Sequence, residues 1–236
     1  MNERPITHVP RFAIASLVLA AGIQLLLQVG QPRPMARAQD LPEVPSGRSL
    51  QLASFGEPIA IAKLLSLYLQ VFDTQPGVKL QSEVLDYKRV QDWLLASLLL
   101  DPRGQYPLFS ASHIYAEVRD EQRARHMLAF VREQFDADPN RRWPWLAHAV
   151  LLARHRIKDL PLAREYARAL RLGATAEDVP HWAQQMEIFL MADMSEIEGA
   201  KLLLGGLLAS GRITDEQEAK FLEKRLRALG GNVMAR

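Results

Sequence analysis

The sequence predicts an all-α protein that follows one amino-terminal membrane helix. An uncharged apolar run covers residues 12–29, close to the start of the chain. From residue 56 to residue 230, residues that begin and end helices recur at short intervals, and no segment alternates between apolar and polar residues as a half-buried strand does. These observations indicate a body built of helices packed on helices.

The apolar run is long enough to span a bilayer. At 1.5 Å per residue it would measure roughly 27 Å, close to the thickness of the hydrocarbon core. Arg4 and Arg11 precede it, as in the basic region of a signal sequence. We therefore expect a short tail over residues 1–11 and a transmembrane helix or signal anchor over residues 12–30.

Cleavage and orientation both remain open. Ala36-Arg37-Ala38 has the form of a signal-peptidase site, and cleavage before Gln39 would release a soluble periplasmic form. The length of the run and the basic Arg33 and Arg37 favour an uncleaved anchor. We expect a single-pass protein of a bacterial inner (cytoplasmic) membrane with its helical body on the periplasmic side, although nearly balanced positive charge leaves the reverse topology open.

A stripe of small and amide residues follows one side of the predicted membrane helix at intervals of four: Ser16, Ala20, Gln24 and Gln28. Small residues allow close helix approach, and amides can hydrogen-bond across a helix pair. The stripe indicates either an anchor that tolerates two glutamines or a contact with an integral membrane subunit.

Residues 31–55 are rich in proline and polar residues, which is typical of an extended spacer. The helical domain is expected over residues 56–230 and a tail over 231–236. Its predicted helices, about nine in number, have about 12–17 residues each. They are 57–72, 87–100, 106–118, 120–136, 140–155, 160–172, 179–192, 195–209 and a last helix that ends at residue 230.

Capping residues support these boundaries. Asp86, Asp120 and Asp159 are plausible N-caps, and Pro58 and Pro161 fall in first turns, where a missing N–H costs little. Asp101-Pro102 and Asp138-Pro139 end two helices, because the residue before a proline avoids the helical region. Gly173 suits a left-handed C-terminal position, and Thr214-x-x-Gln217 matches a capping box.

The two Asp-Pro breaks lie 37 residues apart, and Leu172-Gly173 follows about 34 residues later. Trp93-Leu94 to Asp101-Pro102, and the packing positions Ala163, Tyr166, Ala167 and Leu170, resemble tetratricopeptide-type helix pairs. The likeness covers roughly residues 56–229 as a degenerate repeat, with Val90 and Met127 where alanine is usual. The resemblance implies a superhelix of antiparallel helix pairs whose concave face binds peptides or partner proteins.

Composition excludes several classes of protein. Residues 1–38 contain four basic residues and one acidic residue, so the rest of the chain carries 25 basic and 26 acidic residues. Nucleic acid as a main partner is therefore not expected. The absence of cysteine excludes disulfides, thiolate metal sites and a cysteine nucleophile.

Charge is segregated within the body. Residues 141–171 include eight basic residues against Asp159 and Glu165, whereas residues 174–198 include six acidic residues and no Lys or Arg. The two blocks could complement each other across neighbouring helix pairs. Alternatively, one helix face could recognise an acidic partner or anionic headgroups through Arg164, Arg168 and Arg171.

A second candidate for partner binding combines two basic and two aromatic residues: Arg141, Arg142, Trp143 and Trp145. That composition is typical of an interaction hot spot. The interpretation that we favour is that Trp143 or Trp145 fills the junction between two repeats, with the arginines in solvent.

No catalytic, cofactor or metal site is expected. His148 and His155 are two helical turns apart, about 10.5 Å, too far to share one ion. Glu187 has no partner for acid–base chemistry, and no metalloprotease, nucleophile-elbow or phosphate-loop motif occurs. The sequence predicts a membrane-anchored, non-catalytic interaction module or scaffold. An accessory subunit of a membrane protein complex is the alternative, and an enzyme of the cell envelope is less favoured.

Overall fold

The computed structural model describes residues 10–29, 40–73, 85–210, 213 and 215–231. The chain divides into two compact units, Met1–Arg37 and Ala38–Arg236. All regular structure in the described residues is helical, which confirms the all-α class.

The described residues form eleven α-helices, two of which continue into a π-helical turn. The helices are α1 (Arg11–Val29), α2 (Gly47–Ala53), α3 (Pro58–Asp73), α4 (Tyr87–Leu100), α5 (Tyr106–Phe109), α6 (Glu121–Ala137), α7 (Pro139–Leu152), α8 (Leu160–Gly173), α9 (His181–Asp193), α10 (Ile197–Ala209) and α11 (Glu216–Gly231). The π-helical turns follow α5 and α7 directly and cover Ser110–Tyr115 and Ala153–Ile157.

The predicted aspartate caps are confirmed. Asp86 accepts a hydrogen bond from the backbone N–H of Lys88 at 2.9 Å, and Asp159 accepts one from Leu162 at 2.9 Å. Asp120 caps α6 in the same way. Each carboxylate satisfies a backbone donor that the first helical turn leaves without a partner.

The prediction of an extended spacer is wrong for residues 40–55, which contain α2 and pack on α4. The indole Nε1 of Trp93 donates to the carbonyl of Pro42 at 2.8 Å, and Arg89 donates to the carbonyl of Leu41 at 2.7 Å. The Leu41 side chain is buried in the core. An extended proline-containing segment keeps its carbonyls free, and here they satisfy two donors of a neighbouring helix.

The left-handed assignment of Gly173 is also wrong. Gly173 is the last residue of α8, and Gly56 is the glycine of the described chain that adopts positive φ. A Cβ on Gly173 would lie 3.1 Å from the ring of Phe135. Close packing of α8 against α6 therefore explains the glycine.

The predicted Thr214 capping box lies partly outside the described residues. Asp215 accepts hydrogen bonds from the backbone N–H groups of Gln217 at 2.7 Å and Glu218 at 3.1 Å. This aspartate caps α11.

Helices that are adjacent in sequence pack on one another from α6 through α11, and α3 packs on α4. Contacts also join α4 to α6 and α5 to α7. Alternate helices begin at Tyr87, Glu121, Leu160 and Ile197, which are separated by 34, 39 and 37 residues. The described part of the fold is therefore all-α and helical-repeat-like.

A helix that crosses a bilayer must be long and apolar enough to span its hydrocarbon core. Among the described residues, no single helix meets the requirement for crossing a membrane, and the apolar stretch of α1 covers Arg11–Leu27. The pair Gly47–Ala53 and Pro58–Phe72 meets it jointly, with a bend of 114° between the two helices.

Candidate interaction surface

A cleft of about 440 Å³ lies between α3, α4 and the start of α5. Its lining is largely apolar with several hydrogen-bonding groups, the usual character of a binding site. The lining residues are Ala62, Lys63, Ser66, Leu67, Gln70, Ser97, Asp101, Gly104, Gln105, Tyr106 and Pro107.

Side-chain hydrogen bonds fix the walls of this cleft. The buried hydroxyl of Ser97 donates to the carbonyl of Ala62 at 2.9 Å and lies 3.3 Å from the hydroxyl of Ser66, which joins α4 to α3. Across the opening, the Gln70 amide donates to the Tyr106 hydroxyl at 2.5 Å. The cleft is therefore held by contacts among three helices.

Next to the cleft, rings from α5, its π-helical turn and α7 form a continuous cluster. Phe109 stacks on His113 at 4.9 Å between ring centroids, and His113 stacks on His148 at 3.7 Å. Trp145 meets Phe109 edge to face at 5.9 Å. We call this set, with Tyr106, the ring cluster.

Gln105 joins the ring cluster to the cleft. Its side-chain oxygen accepts a hydrogen bond from Trp145 Nε1 at 2.6 Å, and Gln105 itself lines the cleft. The Tyr106 ring lies 6.0 Å from that of Phe109, and both side chains are partly exposed. The cleft and the ring cluster together, which we call the aromatic cleft, form one surface.

The histidine pair favours the neutral form of His148. Burial and the neighbouring His113 lower the pKa of His148, whereas Glu117, 3.4 Å from its Nε2, opposes that shift. The His113 Nδ1 lies 2.8 Å from the Ser112 hydroxyl. No group of three His, Asp or Glu side chains in the described residues is arranged to hold a metal ion.

The predicted cluster around Trp143 and Trp145 separates in the fold. Trp143 meets Trp182 of α9 edge to face at 5.5 Å, whereas Trp145 faces α5. Each indole therefore packs between neighbouring helices, as the junction interpretation expects. Trp182, which packs on Trp143, is 51% exposed. Trp145 belongs to the aromatic cleft through its hydrogen bond to Gln105.

Arg141 and Arg142 also separate. Arg141 is exposed and pairs with Asp138 on its own helix at 2.9 Å. Arg142 is only 7% exposed and donates to the carbonyls of Gln134 at 2.7 Å and Pro102 at 3.4 Å. Burial lowers its pKa. The prediction that Arg142 contacts a partner is therefore wrong, because its N–H groups donate to carbonyls inside the protein.

The prediction of an exposed stripe formed by Arg164, Arg168 and Arg171 is also wrong, because two of the three arginines form ion pairs within the chain. Arg164 pairs with Glu196 at 2.5 Å and Arg171 with Glu187 at 2.6 Å. Arg154 forms a further salt bridge with Asp193 of α9 at 2.5 Å. The basic and acidic blocks complement each other between helices, and Arg168 remains exposed.

The stripe on α1 is described in part. The Ser16 hydroxyl donates to the carbonyl of Ala13 at 2.9 Å, within its own helix. Ala20 and Gln24 are exposed, and the side chain of Gln28 lies outside the described residues.

Sequence reasoning missed the aromatic cleft. A partial signal was present, because Phe109 and His113, and likewise Trp145 and His148, are spaced to share a helix face. The pairing of those two faces depends on how α5 and α7 pack, which no local pattern encodes.

Comparison with known proteins finds no matching protein-family model, no similar curated protein and no matching solved structure.

Proposed function

We propose that this chain is a membrane-anchored, non-catalytic interaction module whose helical body binds a partner protein at the aromatic cleft. The observation that carries the proposal is the continuity between the cleft and the ring cluster through Gln105. Aromatic side chains with a few hydrogen-bonding groups are the usual composition of a binding hot spot.

The chemistry of the aromatic cleft supports a segment of polypeptide as the occupant. Tyr106 and Pro107 offer apolar contact, and Ser66 and Gln70 add polar atoms to the lining. Asp101 adds a carboxylate to the lining. This mixture fits a partner with both apolar and polar side chains better than it fits a uniformly charged ligand.

The anchor part of the proposal rests on α1. Its large apolar side chains are exposed along the described helix, among them Phe12, Leu17, Leu19 and Leu26. Exposed aliphatic surface of that extent favours burial in lipid or protein. The proposed location is a bacterial inner membrane with the body on the periplasmic side, or a soluble periplasmic form if cleavage occurs at Ala38.

An accessory subunit of a membrane protein complex is the second candidate. Gln24 presents an exposed amide on an otherwise apolar part of α1. In lipid such an amide is most stable when it hydrogen-bonds to a neighbouring helix. Replacing residues 12–29 with an inert apolar helix should then abolish partner association, whereas binding through the aromatic cleft should survive it.

Photocrosslinking in cells tests the main proposal. A photoreactive phenylalanine at Tyr106 or Phe109 should give adducts with a defined partner protein, identified by mass spectrometry. The matched control is Leu172, an exposed apolar residue of α8 distant in sequence. Adducts at all three positions alike, or at none, would contradict a specific aromatic cleft.

Exchange of the Trp145 ring separates recognition from folding. Trp145→Phe keeps an aromatic ring but removes the N–H that donates to Gln105. We expect the adducts at Tyr106 to decrease, with helicity unchanged by circular dichroism. Unchanged adducts would place recognition elsewhere on the body.

A further inference from the structure

The elbow between α2 and α3 carries exposed apolar side chains. Leu52 is 79% exposed and Phe55, in the turn between the two helices, is 96% exposed. Leu64, Leu67 and Val71 on α3 are each more than half exposed. We call these five residues the elbow patch.

The stripe of the elbow patch on α3 lies opposite the core. Leu64, Leu67 and Val71 are spaced by three and four residues and share one helix face. The buried residues Leu65 and Leu69 lie on the other side and pack in the core. A helix that is apolar on both faces is expected to be covered on both.

Phe55 adds a separate observation, because its backbone adopts the left-handed region with φ of 47°. That region is unfavourable for a bulky residue, and Gly56 follows at φ of 92°. The strained turn holds the ring in solvent rather than in the core. Residues in such conformations concentrate at binding sites.

We infer that the elbow patch lies in the headgroup and acyl boundary of the bilayer that holds α1, as a second, interfacial contact with lipid; this inference rests on the proposed membrane anchor. Ten residues, 30–39, join α1 to the helical body, and a fully extended chain of that length reaches about 35 Å. Covalent length alone therefore limits how far from the bilayer the body can lie.

Composition also favours lipid over another occupant. By length and apolarity, α2 and α3 jointly meet the requirement for a membrane segment, yet they bend by 114° at the elbow. A bent pair whose opposite face is buried in the core fits the surface of a bilayer rather than its full depth. Exposed Arg48 and Lys63 suit anionic headgroups, with Glu57 the exposed acidic residue of the elbow.

The cysteine-free chain allows the test to use the full-length protein with one label at a time. Leu52→Cys, Phe55→Cys and Leu64→Cys carry an environment-sensitive fluorophore in vesicles of phosphatidylethanolamine and phosphatidylglycerol. Leu202→Cys on α10 is the matched control, because Leu202 and Leu52 are both 79% exposed. Ser16→Cys reports whether α1 is in the bilayer.

Two quenchers distinguish the environments: a nitroxide on the lipid acyl chain and iodide in the water. We expect the labels at Leu52, Phe55, Leu64 and Ser16 to shift their emission to the blue and to be quenched by the nitroxide. The label at Leu202 should be quenched by iodide and show no blue shift.

The opposite outcomes overturn the inference in different ways. Quenching of the elbow labels by iodide, with the Ser16 label in lipid, would show that the elbow patch lies in water. That result would contradict the interfacial contact but not the proposed anchor. Protection of the elbow labels from both quenchers shows a protein cover, such as a second copy of the chain. If the Ser16 label is also outside the lipid, the proposed anchor itself fails.

Discussion

The guanidinium of Arg171 on α8 donates from Nε to Oε2 of Glu187 on α9 at 2.6 Å, and only 4% of the Glu187 side chain is exposed. A buried carboxylate is stable only with a partner, so this pair joins the two helices. It also pairs Arg171, which the sequence offers for partner binding, with a residue of the same chain.

Removing the cation from this pair should destabilise the fold. We expect Arg171→Met to lower the free energy of unfolding by about 1–3 kcal/mol, less than a fully buried pair because Arg171 is partly exposed. Urea denaturation measures the change. Arg168→Met, an exposed arginine of the same helix, should change the free energy by less than about 0.5 kcal/mol.

The pairing itself is tested by adding Glu187→Gln to the Arg171→Met variant. The double variant should recover part of the lost stability, since no buried carboxylate then lacks a cation. Strictly additive effects would show that the two side chains do not stabilise each other.

Arg142 should be more important for stability than its neighbour. Arg142→Met leaves the carbonyls of Gln134 and Pro102 without their donor, and we expect a loss of about 2–3 kcal/mol. Arg141→Met removes an exposed ion pair with Asp138 and should cost less than about 1 kcal/mol. Equal losses, measured by chemical denaturation, would contradict the buried role of Arg142.

His148 should make the stability of the fold depend on pH. His148 has a lowered pKa in the folded protein, whereas in the unfolded chain its pKa is near 6.5. Below that value the unfolded state binds a proton that the folded state does not, so stability is fully present above about pH 6.5 and falls as the pH decreases toward the lowered folded pKa.

Unfolding free energies measured across this interval should therefore decrease with acid in the wild-type chain. His148→Gln should flatten the slope, because it removes the titrating group while keeping a hydrogen-bonding side chain. His155→Gln, at an exposed position of the π-helical turn after α7, should retain the wild-type slope. An unchanged slope in His148→Gln would assign the pH dependence to other groups.

Replacing Gly173 or Gly206 with alanine should change the stability of the fold in opposite directions. At Gly173 the added methyl would lie 3.1 Å from the Phe135 ring, and we expect overpacking to cost about 1–3 kcal/mol. At Gly206, inside α10, nothing lies within 4 Å of the new Cβ. Gly206→Ala should stabilise the protein by about 0.5–1 kcal/mol, which thermal denaturation would detect.

Most helices of the described chain follow from local sequence signals. Aspartates before helix starts, as at Asp86, Asp120 and Asp159, act within one turn of the chain, so their capping role can be inferred from local order alone. The all-α class follows from the same local signals. The proline pattern of residues 40–55 predicts a spacer because it too is local, whereas the packing of this segment depends on the distant Trp93.

Which side chains are available to a partner depends on the packing of helices that are distant in sequence. Arginines that look alike in the sequence have different environments in the fold. Arg142 is buried, Arg164 and Arg171 form ion pairs with acidic residues of the chain, and Arg168 is exposed. The environment of each arginine depends on which side chains of a neighbouring helix lie next to it. The aromatic cleft likewise requires rings of α5 and α7 to meet. Helix formation is a short-range property of the chain, whereas a surface is the result of packing between segments far apart in sequence.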